Sequence, residues 1–487
     1  MKPVFLQNES IDLARLFEEF RPNPALLTPE GVRTFGDISK SLGDVIATLR
    51  KAGVRRGHLA ALHGENSELH LLLMLAAWVE GFLYLPLDFK APLDSLLKAA
   101  PLDFLITAGD VPPSADVPIL HPGILLQSPP SDADLWREGR PWPAIPFRQE
   151  ASVIFTSGST GKPRGIIHTV GNYIYSALGT DIFIGMEPED RWLISLPLFH
   201  VGGILIWIRT LLAGSACILP ESMKGIDAAI RIHRPSVLSL VPTQLIRCLS
   251  SEDTVAALQK AKAIQLGGAP IPAWLIEKAL DLGIPVMPTY GSTESCTQAT
   301  GVAKGSDRSS YFTAGKPLPY REIRIAKDGT ILLGGKTLFR RYLDDPPTPP
   351  AEGEGIFRTA DLGYLDPAGN LVVLGRKDGI FISGGENISP FEIENALLAL
   401  DSISTAIAVP VPDREFGLVP WAFVECSGLF DAGWLLATLK KRLPGYKVPK
   451  RILRLEPQNR EGKMKYSREA LAKLAEEMAG PGPAGGR

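Results

Sequence analysis

The residues from Ile154 to Gly165 read Ile-Phe-Thr-Ser-Gly-Ser-Thr-Gly-Lys-Pro-Arg-Gly, a composition suited to holding an anion. A glycine-rich turn can aim successive backbone N–H groups into one concavity, where an anion binds. The hydroxyls of Thr156, Ser157, Ser159 and Thr160 add donors, and Lys162 adds charge. Gly158, Gly161 and Gly165 are expected to let the backbone turn where a Cβ would clash. The run follows an apolar segment, 151–155, that reads as the end of a buried strand. A solvated Ser/Gly linker would gain nothing from such a strand. The stretch therefore predicts a phosphate cradle. It differs from a Walker A loop, since Pro163 follows Lys162 where Ser or Thr would be required.

Further clusters follow in a definite order. They are Leu196 to Gly203, Leu266 to Pro270, Thr289 to Glu294, Phe357 to Tyr364 with Gly375-Arg376, Ile382 to Glu394, and Asn459 to Arg468. With the first run, they resemble the motif series of the adenylate-forming superfamily: acyl-CoA synthetases, firefly luciferases and peptide-synthetase adenylation domains. The resemblance implies that Thr156, Ser157, Gly158, Ser159, Thr160, Gly161 and Lys162 bind ATP phosphates. It implies that His200 lines the acyl pocket and takes part in catalysis. The turn at Gly268, Ala269 and Pro270 would lie against adenine, with Gly268 also bordering the substrate. Tyr290 would stack on adenine beside Gly291, Thr293 would meet the α-phosphate, and Glu294 would bind Mg²⁺. A hard cation suits that carboxylate, together with shared phosphate oxygens.

In the same resemblance, Asp361 and Arg376 hold the ribose hydroxyls, although Ala360 stands where the usual pattern has glycine. Asp378 matches a hinge, and Gly384, Gly385 and Glu386 belong to a mobile loop on the CoA side. The family's catalytic lysine follows a glycine and precedes an arginine by three residues. Lys463 satisfies the first condition and Lys465 the second, with Arg468. Both stay open, with Lys465 placing the closing helix in register. Either amine would neutralise charge during adenylation. No convincing Ser/His/Asp or Cys/His set is present, in keeping with chemistry that needs no protein nucleophile. ATP, Mg²⁺ and the cosubstrate CoA are implied.

Amino-acid-activating relatives place an aspartate where this chain has His200, so an α-amino acid is not expected. The stretches 196–203, 239–247, 382–394 and 412–417 are similar to the 2-succinylbenzoate–CoA ligases of menaquinone synthesis. That similarity runs from about residue 151 to 471, and the first 150 residues agree only loosely. It implies an aromatic diacid, and Arg247 is then either the partner of its second carboxylate or an ordinary surface arginine. Another aryl- or fatty-acyl-CoA ligase and a luciferase-like oxygenase are the alternatives.

A chain of 487 residues exceeds a single core and predicts several domains. Helices at 11–20, 36–52 and 67–80 alternate with short apolar strands, which predicts an α/β fold. The expected architecture is a large N-terminal domain, 1–376, of layered α/β subdomains plus a β-rich subdomain. A small mobile α+β domain, 377–487, would carry the catalytic lysine. The segment 128–148 reads as an exposed connector and 344–355 as loop, both rich in proline. Leu71 to Leu85 reads as a buried helix running into a strand, since it is short for a membrane span. A formal net charge of −2 gives no reason to expect nucleic acid or an anionic membrane as partner. Four cysteines without paired spacing, and an N-terminus without a signal-peptide core, predict a cytoplasmic protein with reduced thiols. The oligomeric state is not legible.

Overall fold

The computed structural model describes residues 4–90, 93–97, 100–111, 116–126, 142–156, 164–345, 355–426, 428–455 and 466–479. Its frame is two large sheets with helices between them. In the seven-stranded sheet, Glu150–Thr156 and Arg164–Thr169 pair antiparallel, while Leu83–Leu87, Leu59–His63, Phe104–Thr107 and Ile119–Leu120 continue in parallel. The nine-stranded sheet has a parallel centre, including Arg191–Leu193, Val237–Leu240, Ala263–Leu266 and the start of Val286–Ser292.

Side-chain alternation assigns each sheet face to a different core. Trp192, Val237, Ala263 and Met287 join the central core, whereas Leu193, Leu238, Ile264 and Val286 face a second one. Likewise Ile154 and Tyr84 point to the central core, and Val153 and Leu85 away from it. The central core also takes in helices Glu68–Glu80 and Val201–Ala213, buried along nearly their whole length. An all-round apolar helix needs such a dry slot. The apolar run at 71–85 is thus a buried helix followed by the strand Leu83–Leu87. Among the described residues no helix is long and apolar enough to cross a membrane.

The β-rich region is a four-stranded antiparallel sheet of Arg321–Ile325, Thr330–Gly335, Phe357–Leu365 and Leu371–Arg376. Beyond it lie a hairpin, Phe381–Ser383 with Glu386–Ile388, and a three-stranded sheet flanked by helices Pro390–Leu398, Ala432–Leu439 and Arg468–Ala479. Two core clusters here contain only residues from Phe381 onward. This part touches the rest where Gly375 leaves room for Phe391 and where the Trp274 indole donates to the Ile403 carbonyl at 3.1 Å.

Two expectations need adjustment. Within 128–148, residues 128–141 lie outside the described residues, but Ile145–Pro146 is a strand paired with Ser10–Ile11, and Trp142 and Ile145 are buried. The apolar side chains at the end of that segment draw it into the core. Of the loop 344–355, residues 346–354 lie outside the described residues.

His70 is carried into the central core by the helix Glu68–Glu80, where Nδ1 meets the Ser67 hydroxyl at 3.2 Å. Burial holds its pKa down to about 3, against about 6.5 when exposed. The neutral ring therefore supports folding fully above pH 6.5, and that support is lost as pH falls toward 3. The shift corresponds to on the order of 4 kcal/mol. His70→Leu should flatten the fall of melting temperature between pH 6.5 and 4, measured by circular dichroism at stepped pH.

Candidate active site

The strands that flank the glycine-rich run, Glu150–Thr156 and Arg164–Thr169, pair antiparallel. Thr156 ends one strand and pairs with Arg164, which begins the next. Ser157, Gly158, Ser159, Thr160, Gly161 and Lys162 lie outside the described residues. Gly165 belongs not to the turn but to the strand, opposite Phe155. A Cβ there would come within 2.9 Å of both Val153 and Leu343, so glycine serves close packing at this position. Arg164 lies over the Tyr342 ring at 3.5 Å. The Tyr342 hydroxyl titrates above its ordinary range, chiefly through burial and also through the nearby Glu294 charge.

The hairpin Val286–Ser292 and Thr297–Gly301 carries Tyr290, Gly291, Thr293 and Glu294. Its turn is tight: Cys296 and Thr297 both have positive φ, at 51° and 81°. A β-branched residue in that region stores strain that surrounding contacts must hold. They do so from several sides. Arg209 donates to the Thr297 hydroxyl (3.1 Å) and to the Gln298 amide (3.0 Å), Ser176 donates to the Cys296 carbonyl (2.7 Å), and Arg321 donates to the Gln298 carbonyl (2.6 Å). Burial pulls the pKa of Arg209 down to about 9 and that of Arg321 to about 10, so both keep their charge at neutral pH.

The Tyr290 hydroxyl donates to the Asp361 carboxylate at 2.6 Å. Burial, then the Asp361 charge and that hydrogen bond, hold the phenol well above its ordinary pKa. Asp361 in turn faces Arg376 across the antiparallel strands Phe357–Leu365 and Leu371–Arg376. Tyr290, Asp361 and Arg376, far apart in the chain, thus form one neighbourhood. The turn Gly267 to Pro270 adjoins it, because a Cβ on Gly267 would lie 2.5 Å from the Thr289 hydroxyl. Gly268, Ala269 and Pro270 are exposed, with Gly268 at φ +77°. These turns follow the carboxyl ends of neighbouring parallel strands, a common place for ligand sites.

His200 is the exposed residue that opens helix Val201–Ala213, with its ring 4.5 Å from that of Phe199. The preceding segment is tied down by Asn66, which accepts from the Leu198 N–H, and by Gln244, which donates to the Ser195 carbonyl at 2.8 Å. Arg247 is exposed, three residues beyond Gln244 on helix Pro242–Cys248 and hence on a neighbouring part of the same helix face.

In the small C-terminal part, Gly384 and Gly385 are the central pair of a two-residue hairpin turn, with φ +55° and +89°. Positive φ at both positions is the requirement of a type I′ turn. A Cβ on Gly384 would also press on Phe416 at 2.8 Å. Glu386, exposed, follows the turn. Asp378 lies in the short turn Lys377–Gly379, its side chain outside the described atoms, and Lys377 pairs with Asp328 at 2.9 Å. Lys463 and Lys465 lie outside the described residues. Arg468, just beyond them, binds the Ala408 carbonyl and the buried Glu394 carboxylate.

Sequence reasoning missed His168, Arg209, Arg321 and Glu394. Arg209 had a signal, a lone charge inside the apolar run Ile204 to Leu212. The others act over long sequence separations and had none. Glu294 is partly buried, and the nearby Ser292 hydroxyl oxygen is buried without a partner among the described residues. Those residues contain no cluster of three or more His, Cys, Asp or Glu able to hold a metal alone. A single partly buried carboxylate suits Mg²⁺, a hard cation that keeps several waters and shares oxygens with a bound phosphate.

Gly291 is where the turn is least tolerant, since a Cβ would fall 1.8 Å from the Thr297 carbonyl oxygen. Gly291→Ala should destabilise the chain by about 3 kcal/mol or more in urea unfolding. Gly305→Ala, at φ +80° with open space around it, should cost only about 1–2 kcal/mol.

Comparison with known proteins bears on this geometry. Residues 15–343 match the family described as AMP-binding enzyme, and 392–463 match the AMP-binding enzyme C-terminal domain. A 2–succinylbenzoate–CoA ligase of Bacillus cereus is 31% identical over 460 residues, covering 91% of this chain and 94% of that protein. Its counterpart in Bacillus thuringiensis has the same identity and coverage. Among solved structures, a variant of E. coli MenE with bound OSB-AMS aligns with TM-score 0.81 and 28% identity, covering 95% of this chain and 98% of that one. The o-succinylbenzoate CoA synthetase of Bacillus subtilis, in complex with the acyl-adenylate intermediate OSB-AMP, aligns with TM-score 0.80 and 27% identity, covering 98% and 99%. The same enzyme is also known in complex with ATP and a magnesium ion, at TM-score 0.77 and 28% identity, covering 91% and 95%. The match to the larger profile spans most of the chain, and the relatives align nearly end to end: this chain belongs to the AMP-binding enzyme family.

Proposed function

We propose that this chain is an AMP-forming acid–thiol ligase that converts 2-succinylbenzoate, ATP and CoA to 2-succinylbenzoyl-CoA, AMP and diphosphate. The observation that carries the chemistry is the Tyr290–Asp361 hydrogen bond beside the Thr293–Glu294 turn and the base of the glycine-rich run. It sets an aromatic ring against a carboxylate next to the Thr293–Glu294 turn, an arrangement suited to a nucleoside. The choice of acid rests on likeness along the whole chain to ligases of that name.

The reading divides the chain near residue 376, into a large domain at 1–376 and a small one at 377–487. Separate core clusters on either side support that division. In the first half-reaction a carboxylate oxygen of the acid attacks the α-phosphorus, the bond to the bridging oxygen breaks, and diphosphate leaves. Thr156, Lys162 and the N–H groups between them hold the phosphates, while Tyr290, Gly268, Asp361 and Arg376 orient the nucleoside. Magnesium bound at Glu294 would offset phosphate charge as it develops. Lys465 or Lys463 neutralises the meeting anions, a contribution of position and electrostatics. His200 lines the acyl pocket, and Arg247 receives the second carboxylate.

In the second half-reaction the CoA sulfur attacks the acyl carbonyl, its proton leaves to solvent, and AMP departs. The small domain turns about Asp378 for this step, bringing Gly384, Gly385 and Glu386 to the thiol. The reactants are small molecules, and a cytoplasmic setting agrees with four cysteines that form no disulfide in the structure.

The test is AMP and thioester formation with ATP, Mg²⁺, CoA and a panel of 2-succinylbenzoate, benzoate, 4-coumarate and octanoate. Strong preference for 2-succinylbenzoate is expected, without oxygen consumption. Preference for another acid would move the substrate, and silence across the panel would remove 2-succinylbenzoate as the acid. Arg247→Ala should raise KM for 2-succinylbenzoate at least about tenfold, the scale of a lost charged hydrogen bond, and leave benzoate nearly unchanged. Equal effects would make Arg247 a surface residue. Lys465→Ala should abolish adenylation and Lys463→Ala spare it; the reverse result would assign Lys463.

A further inference from the structure

His168 lies on the strand Arg164–Thr169, just past the exit of the glycine-rich run, and its side chain is fully buried. Its Nε2 stands 2.8 Å from the carbonyl oxygen of Thr293, 125 residues away in the chain. A carbonyl only accepts, so Nε2 carries the proton and donates. Nδ1 is then a bare acceptor, buried and without a partner among the described residues. An unsatisfied acceptor is unfavourable, and an aliphatic side chain would fill the space without it. A histidine here makes physical sense if the Nε2 hydrogen bond has a use.

We infer that His168 is a positioning residue for nucleotide binding, holding the Thr293–Glu294 backbone at a fixed distance from the strand that leaves the glycine-rich run. The hydrogen bond spans the two large sheets, with His168 on the seven-stranded one and Thr293 on the hairpin that closes the nine-stranded one. The other ties on this turn reach different atoms, and one of them leads to the same strand through a neighbouring residue, since the Arg340 N–H beside Phe339 donates to the Ile167 carbonyl at 2.8 Å. Ser176 holds the Cys296 carbonyl, Arg209 holds Thr297, and the Phe339 N–H holds the Glu294 carbonyl at 2.8 Å. The Thr293 carbonyl also accepts locally from the Cys296 N–H at 3.0 Å, a contact that closes the turn but does not fix where the turn sits. His168 adds a direct tie from the strand Arg164–Thr169 to Thr293 itself. Tilted packing against Tyr173, centroids 5.5 Å apart, keeps the ring oriented, and Tyr173 is held by Ser152 at 2.7 Å. Burial holds the pKa of the imidazole down to about 4, so at neutral pH the ring is uncharged and carries a single N–H, the one on Nε2.

The inference rests on reading Thr293 and Glu294 as ligands of the α-phosphate and magnesium. It adds that their spacing from the strand Arg164–Thr169 is set by a residue that touches neither ligand. Glutamine places an amide N–H near the position of Nε2, and asparagine places one near Nδ1, so the two variants separate donor position from polarity. Binding of ATP with Mg²⁺ to the full chain would be measured by titration calorimetry, and KM for ATP and for the acid from steady-state turnover. His168→Gln should stay within about threefold of the parent in both ATP constants. His168→Asn should weaken ATP·Mg²⁺ binding and raise KM for ATP about tenfold, with KM for the acid within about twofold. Unchanged binding by His168→Asn, equal losses in both variants, or parallel losses for ATP and acid would overturn the role. If the parent chain itself failed to bind ATP·Mg²⁺, the reading of Thr293 and Glu294 would fall first. If His168→Asn does not fold, His168→Gln decides alone: ATP constants within about threefold of the parent support the role, and a larger loss overturns it.

Discussion

Two guanidinium groups, Arg209 and Arg321, sit in the interior without a described carboxylate partner, and the turn from Ser292 to Thr297 is built against them. Arg209 meets Gln265, Thr297 and Gln298, while Arg321 meets the carbonyls of Ser176, Gln298 and Pro319. A buried charge satisfied only by neutral dipoles needs several of them in good geometry. That demand fixes the neighbours. Gly179 must lack a side chain, because a Cβ would lie 2.1 Å from the Arg321 guanidinium. Gln265 on one parallel strand and Gln298 on the hairpin must face each other, and their amides meet at 3.3 Å. The strained turn from Ser292 to Thr297 is the other side of this network. Its cationic backing lies beneath residues proposed to meet phosphate, where positive potential is useful.

The division of labour among layers follows from this. Helices Glu68–Glu80 and Val201–Ala213 fill the dry space between the sheets and carry Arg209 inward. The parallel strands of the nine-stranded sheet deliver Gly268 and Tyr290 to one edge. The seven-stranded sheet delivers the base of the glycine-rich run, and the β-rich sheet brings Asp361 to Tyr290. The small C-terminal part has its own core, with Glu394 and Arg468 joining two sequence motifs inside it.

Much of this was legible in the chain. The apolar run at 71–85 announced a buried helix and strand because its period and length admit little else. The motifs were legible because their residue types are rare in combination: ring, hydroxyl and carboxylate together at Tyr290, Thr293 and Glu294. What resisted reading was anything set by tertiary approach. Gly165 looks like part of a flexible turn, yet it is a strand residue that makes room for Val153 and Leu343. His168 resembles any histidine on a strand until Thr293 is placed opposite it. The paired glycines at 384 and 385 suggested mobility, and their φ values give them a conformational reason as well.

The account turns on one chemical event, formation of an acyl-adenylate from 2-succinylbenzoate at this site. Exchange of labelled diphosphate into ATP, measured with Mg²⁺ and no CoA, isolates that event. Exchange that depends on 2-succinylbenzoate, and is absent without an acid, is the predicted result. Exchange that requires CoA, or that responds to other acids but not to 2-succinylbenzoate, would contradict it.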